Sequence, residues 1–497
     1  MKKSNLELEI EGKIKEQIYG KWFSKNTRYV LHIGPTNSGK TYSAVQALKK
    51  SYNGIYLAPL RLLAWEIQDR LTKEGFPCSL LTGEEKVIIP QANLTSCTIE
   101  MCNYSKHYNV AIVDECFMIA DRQRGKFWLD AIMKLDCDEV HVISNPESLP
   151  LLRKLLELTN NIYEIHEYER KTPLEISNKE VNLKKLLPKT ILVTFSRINV
   201  LYYKYLLQQF GKKAAILYGN LPPEVKRDQI RSFVDGENSV LITTDVIGMG
   251  INLPCHQIVF LEDSKFDGES VRKLNEKEIK QISGRAGRFG LSEKGIVTAL
   301  DPMFTFDIEK AFDSILEEKN GFFGLDGEIY KLIPEEKPRQ KLKYFEQRSW
   351  MPSNLSFLKM EDLEKYYVLA KHYDLSLLED DLAWAFLSCP VNEQNQNFWK
   401  FAVASAVHLN QINFSERYFI DEINNIKELA LAENAIANID LFFYMYNNRT
   451  LNPLFFKYDE EYLTVLKSHK EIIIDNINNF LLSKKIKEKE VKKPIKK

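Results

Sequence analysis

The sequence carries no net charge: 68 Lys and Arg balance 68 Asp and Glu. This excludes a globally cationic body, so any surface that holds a polyanion must be local. Long apolar runs are absent too. Leu57–Ala64 is broken by Arg61, and no stretch approaches the ~20 residues that span a bilayer, so no membrane role is expected. Cysteine is scarce and odd in number, at seven, with no Cys-x-x-Cys pair. Cys97 and Cys102 have no nearby His at zinc-finger spacing, which points to free, mostly buried thiols rather than a metal site. The opening residues hold Glu7 and Glu9 where a signal peptide needs an apolar core and a transit peptide avoids acid. Scarce, unpaired cysteine and this opening together set the expectation of a reducing cytoplasm. Apolar residues at 44%, charged at 27% and aromatic at 11% exclude a collagen-like or globally disordered chain.

With 497 residues, about 150 per domain gives roughly three domains. Residues 1–26 alternate Lys and Glu around Leu6, Leu8, Ile10 and Ile14, which reads as a charged arm or helix. From Tyr29, short apolar runs (Tyr29–Ile33, Ile55–Ala58, Val110–Val113, Val140–Ser144) alternate with helical stretches (Lys40–Lys49, Leu60–Lys73, Arg124–Leu135). That alternation predicts a parallel sheet covered by helices. It restarts after Pro173 with strands at Ile191–Phe195, Ala214–Leu217, Val240–Thr243, Ile258–Leu261 and Ile296–Ala299. Helices near Ile198–Phe210, Glu224–Val234 and Glu276–Ser283 separate them. Beyond Phe304 only helical spacing persists, at Met360–His372, Ser376–Leu387, Trp399–Leu409 and Glu422–Leu441. The last fourteen residues hold eight Lys and two Glu and read as a disordered basic tail. The expected division is 1–26 arm, 27–172 first α/β unit, 173–303 second α/β unit, 304–483 helical region and 484–497 tail.

Chemistry concentrates in four segments. Gly34-Pro35-Thr36-Asn37-Ser38-Gly39-Lys40-Thr41 fits G-x-x-x-x-G-K-[ST] between a strand and a helix. Its backbone N–H groups and the helix's positive end suit a nucleotide's phosphates. Lys40 neutralises β- and γ-phosphate charge, and the Thr41 hydroxyl suits Mg²⁺. Asp114-Glu115 follows an apolar strand, at the sheet edge where α/β folds place ligands. One carboxylate, Asp114, would hold Mg²⁺ and the other accept a proton from the attacking water. Gln281-Ile-Ser-Gly284-Arg285-Ala-Gly287-Arg288 places two guanidinium groups three residues apart. If the two units face each other, Arg285 and Arg288 could enter the first unit's phosphate site as arginine fingers do. Finally, Gly248 and Gly250, in Thr244–Asn252, allow close approach of a ligand or of the other unit.

The order of these segments, together with Pro59–Ala64, Leu81–Lys86 and Thr98–Met101, resembles a superfamily 2 helicase. Gly34–Thr41, Ala58–Ala64, Leu81–Lys86, Tyr218–Pro223 and Gly284–Gly290 resemble one branch, the ATP-dependent RNA helicase of the mitochondrial degradosome and its bacterial relatives. The cytoplasmic expectation places the chain with the bacterial type. The resemblance implies two tandem RecA-like parallel-sheet domains with ATP between them, followed by a mostly α-helical C-terminal region. It implies ATP and Mg²⁺ as cofactors. It also implies 3′-to-5′ movement on single-stranded RNA, unwinding of RNA duplexes with a single-stranded tail, and service in RNA turnover to an exoribonuclease such as polynucleotide phosphorylase. Arg61, Thr82, Gly83 and Thr98 match the family's strand-contacting motifs, and Ser196 and Thr243 are the candidates in the second domain. Asp267-Gly268 is a tight-turn signal, so Phe266 is a candidate wedge on a small hairpin, with a plain surface loop as the other reading. Two positions depart from the family: Phe117 stands where the mitochondrial members carry Gln, and the third motif reads Ser144-Asn145-Pro146-Glu147. The alternatives are a DNA-directed translocase with the same motor, since no residue reads a 2′-hydroxyl, and a non-catalytic RNA-binding scaffold. His107, His141, His166, His256 and His372 read as structural, and Trp384 and Trp399 as core.

Overall fold

The computed structural model describes residues 4–491 except 21–25, 84, 160, 220, 249–252, 267–269, 288–292, 315–317, 413–422 and 456. Two parallel sheets organise the first three hundred residues. In the first, the strands run in the order Lys86–Val87, Cys78–Leu81, Leu94–Thr98, Gly54–Ala58, Tyr108–Val113, Cys137–Ser144, Arg28–Ile33 and Tyr163–Glu167. Only Lys86–Val87 is antiparallel to its neighbour. In the second, the order is Ala214–Leu217, Val240–Thr243, Thr190–Val193, Gln257–Phe260, Gly295–Ala299 and Leu174–Ile176, all parallel. The central strands are covered on both faces, which is why they read as unbroken apolar runs.

The strands that the sequence pattern did not reveal are Cys78–Leu81, Leu94–Thr98, Tyr163–Glu167 and Leu174–Ile176. They lie towards the sheet margins and carry Ser, Thr, Glu or His, so no apolar run announces them. Among the expected helices, Met360–His372 is largely replaced. Leu358–Met360 instead pairs as a strand with Gly321–Phe323, and only Glu364–Leu369 is helical. Helix Ile426–Asn447 starts where the Asn425 side chain accepts the Glu428 N–H at 3.0 Å. The basic tail is also corrected, because one helix runs Glu460–Val491 and takes in most of it. Leu466, Ile473, Ile474, Ile477 and Leu481 bury one stripe of this helix. Beyond the stripe, Lys and Glu are good helix formers that carry it on.

The apolar cores divide unequally. One continuous core joins the first sheet (Leu31, Leu57, Val113, Val140) through Trp128 to Phe345, Trp350, Trp399 and Phe442 of the helical region. The second sheet has a core on each face, one around Phe233, Leu241 and Phe260 that also takes in Leu62 of the first unit, and one around Leu192, Ile216 and Val259. The N-terminal arm belongs to the first body. Helix Asn5–Lys15 is closed by a Ser4/Glu7 capping box, buries Ile14, and pairs Glu11 with Arg348 at 3.0 Å. All seven cysteines are free and six are buried. Among the described residues, no helix is long and apolar enough to cross a membrane.

Lys126 joins the first sheet to the helical region. Its buried Nζ donates to Glu361 Oε1 at 2.9 Å, the Tyr366 hydroxyl at 2.7 Å and the Leu325 carbonyl at 3.0 Å. Those partners raise its pKa against the opposing cost of burial. Removing one partner of a buried pair strands the other charge. Lys126→Met should therefore destabilise the chain by about 3–5 kcal/mol. This is to be read as a lower urea midpoint, and an unchanged midpoint would show the pair to be dispensable.

Candidate active site

Strand Arg28–Ile33 is buried from Tyr29 onward and delivers the loop 34–39 at its C-terminal end. Gly34 packs so closely on the segment after Tyr163–Glu167 that a Cβ would stand 2.4 Å from the Tyr168 carbonyl oxygen. Gly39 has φ 94° and caps helix Lys40–Lys50. Lys40 donates to the carbonyls of Gly34 and, at 2.7 Å, Pro35. Burial lowers its pKa to about 8. The loop thus folds its lysine inward onto its own carbonyls. Ser38 Oγ is buried beside it with no hydrogen-bond partner among the described residues.

The adjacent carboxylates end the strand Tyr108–Val113. Asp114 is 3% exposed and accepts from the Tyr56 hydroxyl and, at 2.7 Å, from the Glu115 N–H. Burial, then the nearby Glu115, raises its pKa to about 7. The Lys40 charge opposes that rise without cancelling it. Glu115 sits in the left-handed region at φ 49°, a strained conformation for a non-glycine residue. The strain turns its side chain out to the second sheet, where Arg285 Nη2 stands 3.2 Å from Glu115 Oε1. Arg285 also donates to the Gly248 carbonyl at 2.8 Å, and its buried Nε has no partner among the described residues.

The phosphate loop and the arginine segment therefore meet. Asn37 Nδ2 donates to the Gly284 carbonyl at 3.1 Å, and a Cβ on Gly284 would stand 3.0 Å from Thr36. Gln281 is half-buried beside Gly248, and Thr41 is half-buried at the second position of its helix. Arg288 and Gly250 lie outside the described residues. Sequence reasoning missed Arg170, in the connector between the sheets. Its guanidinium donates to the carbonyls of Thr36 (3.0 Å), Gly284 (2.9 Å), Ala286 and Thr172 (2.6 Å). Burial, then the nearby Arg285, lowers its pKa to about 10. No motif flags it; only its position between the two units does.

Lys40, Arg170, Arg285, a serine hydroxyl without a hydrogen-bond partner among the described residues and a buried carboxylate converge where the two sheets meet. This donor set fits a polyphosphate with a divalent cation.

The candidate strand-contacting residues separate into two groups. Arg61 and Gly83 border a cavity of about 310 Å³ that also takes in Arg197, Lys226, Asn392 and Glu433, or adjoin it. The Gly83 carbonyl accepts from Asn447 Nδ2 at 3.0 Å. Thr82 and Thr243 are 1% and 0% exposed, and their hydroxyls bond within their own segments, to the backbone of Glu85 and of Thr244. Thr98 is buried as well. Ser196 caps helix Arg197–Gln209 by accepting from the Asn199 N–H at 3.2 Å. These hydroxyls are committed to the fold. The cavity instead gathers Arg197, Lys226 and Lys470, which the sequence reading missed although Arg197 adjoins Ser196. Phe266 is 62% exposed on an antiparallel ribbon, Ser264–Phe266 with Val271–Lys273, where it faces Val271. The turn residues Asp267 and Gly268 lie outside the described residues. Trp399 is fully buried and Trp384 partly so, with Lys126 over its ring.

Two parallel sheets that close a phosphate loop against an arginine segment define a helicase-type motor ATPase. The family model for the DEXQ-box helicase domain of Suv3 matches residues 16–168, and that for the helicase conserved C-terminal domain matches 176–290. The chain is 36% identical over 424 residues to the mitochondrial DExH-box ATP-dependent RNA helicase DExH16 of Arabidopsis thaliana, spanning 82% of this chain and 74% of that protein. It is 34% identical over 402 residues to Arabidopsis DExH18, spanning 77% and 51%. It is 37% identical over 294 residues to the mitochondrial helicase SUV3 of Candida albicans, spanning 56% and 41%. The chain belongs to the Suv3-type family of superfamily 2 ATP-dependent RNA helicases. It covers about half or less of the length of the latter two relatives. All three are named mitochondrial, as are relatives from Saccharomyces and rice. That overturns the cytoplasmic, bacterial-type expectation, because acidic opening residues do not specify a compartment.

Behind the phosphate loop lies a buried histidine relay. His32 Nδ1 is 2.7 Å from the Tyr168 hydroxyl, and His32 Nε2 is 2.8 Å from His141 Nδ1. Burial, then His141 and His166, lowers the His32 pKa from 6.5 to about 3. The unfolded chain takes up this proton below pH 6.5 and the folded chain does not. Stability should therefore be complete above pH 6.5 and fall toward pH 3, by about 1.4 kcal/mol per unit at most. Between pH 7 and 5 the urea midpoint should drop more in the native chain than in His32→Gln. Equal drops would remove His32 as the cause.

Proposed function

We propose that this chain is an ATP-driven motor that moves 3′-to-5′ along single-stranded RNA and opens duplexes bearing a single-stranded tail. Its role would be in RNA turnover alongside an exoribonuclease such as polynucleotide phosphorylase. We take residues 27–172 and 173–303 as the two motor domains, with 304–483 as the helical region. The observation that carries the reading is Arg285 reaching 3.2 Å from Glu115 beside the phosphate loop. In this reading the N–H groups of 34–39 and the Lys40 ammonium bind ATP's phosphates. Thr41 and Asp114 hold Mg²⁺, which when bound neutralises charge on the β- and γ-phosphates. Glu115 takes the proton of the attacking water. Gln281, Arg285 and Arg288 stabilise the charge that develops on the transferred group. With ATP bound, Arg285 and Lys40 exchange Glu115 and carbonyl partners for phosphate. Loss of the γ-phosphate returns them, and the second sheet moves relative to the first.

Arg61 and Gly83 from one side, and Arg197 from the other, would hold the strand by its phosphates, which suits low sequence preference.

Steady-state ATPase should be low without nucleic acid and strongly stimulated by single-stranded RNA, less so by DNA of matched length. Lys40→Ala should lower the stimulated rate by about 100-fold or more. Full turnover by Lys40→Ala would sink the motor reading, and equal stimulation by DNA would remove the preference for RNA. Phe266→Ala should reduce duplex unwinding several-fold while leaving RNA-stimulated ATPase intact. A parallel loss of both would count against a wedge on that ribbon.

A further inference from the structure

Helix Glu276–Ser283 carries Gln281 and leads directly into Arg285. Its two other inward lysines reach back across the cleft. Lys277 Nζ stands 5.1 Å from the centre of the Phe117 ring, and Lys280 Nζ stands 3.7 Å from Glu147 Oε1. Phe117 and Glu147 follow Tyr108–Val113 and Cys137–Ser144, which are neighbouring strands of the first sheet. Glu318 closes the circuit. It accepts from Lys277, and its N–H donates to the Glu147 carbonyl at 2.9 Å. Lys280 is steadied by the Ser314 carbonyl at 2.6 Å.

One of the two anchoring positions, Phe117, is a place where this chain departs from its family. The matching family is named for Gln at the position of Phe117, and the third motif here ends in Pro146-Glu147. An aromatic face attracts a partly desolvated ammonium, and a glutamine has no such face. Phe117 is nearly buried, so its ring is held in place. Lys277 and Gln281 are four residues apart and share a side of the helix. A contact that fixes Lys277 therefore fixes the rotation of the helix, and with it where Gln281 and Arg285 point.

We infer that the Phe117–Lys277 and Glu147–Lys280 contacts are pins that set Gln281 and Arg285 against Asp114 and Glu115. The four residues are positioning residues for hydrolysis. Among the described residues no hydrogen bond joins their side chains to the phosphate loop, and Glu147 acts on Lys40 only through space, so nucleotide binding should change little. This rests on reading the cleft as the ATP site.

The test uses the full chain with Phe117→Leu, Glu147→Gln, Lys280→Glu and the swap of Glu147→Lys with Lys280→Glu. It reads RNA-stimulated kcat, the Kd of a fluorescent ADP analogue and the melting temperature. Phe117→Leu and Glu147→Gln should each lower kcat by about 5- to 30-fold, in the middle of the roughly 2- to 150-fold range of coupling between contacting residues, with Kd unchanged within about twofold. The swap should regain most of what Lys280→Glu loses. If Phe117→Leu fails to fold, Glu147→Gln and the swap still decide. Native kcat in these variants overturns the inference, as does a kcat loss matched by Kd with no recovery in the swap. Lys40→Ala assayed alongside separates the two failures. If it turns over, the ATP-site reading falls. If it is inactive while the pin variants behave as native, only the pins fall.

Discussion

Positive charge held without enough negative charge is the constraint on which this structure turns. Lys40, Arg170 and Arg285 converge on one cleft, where their partners are mostly backbone carbonyls. Among the described residues, Glu115 is the carboxylate that meets a guanidinium there. Carbonyl dipoles solvate a cation but do not neutralise it, which is why burial depresses the pKa of both Lys40 and Arg170. Asp114 shows the complementary deficit, a buried carboxylate whose partners are a phenol and an amide. A polyanion with a divalent cation relieves both deficits at once. The attraction acts across the two sheets, at the Arg285–Glu115 contact.

The cores decide which part moves. The first sheet shares its apolar core with the N-terminal helix and the helical region, and Lys126 and Glu361 tie them together inside it. That assembly is one mechanical body. The second sheet shares one of its cores with Leu62 and Trp65 of the first unit, and it otherwise meets the first through polar groups: Asn37 and Arg170 on the arginine segment, Arg285 on Glu115, and Arg227 on Glu85 at 2.8 Å. Ion pairs and hydrogen bonds exchange partners with little loss in water, whereas an apolar core opens only at the full cost of exposing it. Helix Glu460–Val491 spans this divide. It is buried in the shared core at Ile473 and Ile477, and Asn478 donates to the Tyr218 hydroxyl at 2.7 Å.

The sequence by itself determined the phosphate loop, the acidic pair, the arginine segment and the central strands of both sheets. Each is a local pattern in which the chemistry and the backbone requirement fall on neighbouring residues. Gly39 must adopt positive φ directly before Lys40, and Asp114 must follow an apolar strand. Tertiary structure alone decided what lies between those segments. Arg170 belongs to no motif and matters only because its connector passes between two loops that are more than a hundred residues apart in the chain. The hydroxyls of Thr82 and Thr243 match strand-contacting motifs, yet the fold turns them inward. Tyr163–Glu167 and the last turns of the C-terminal helix depend on neighbours that no local pattern encodes. Local physics shapes a loop or a strand end, but the meeting of loops from two sheets is set by packing at a distance.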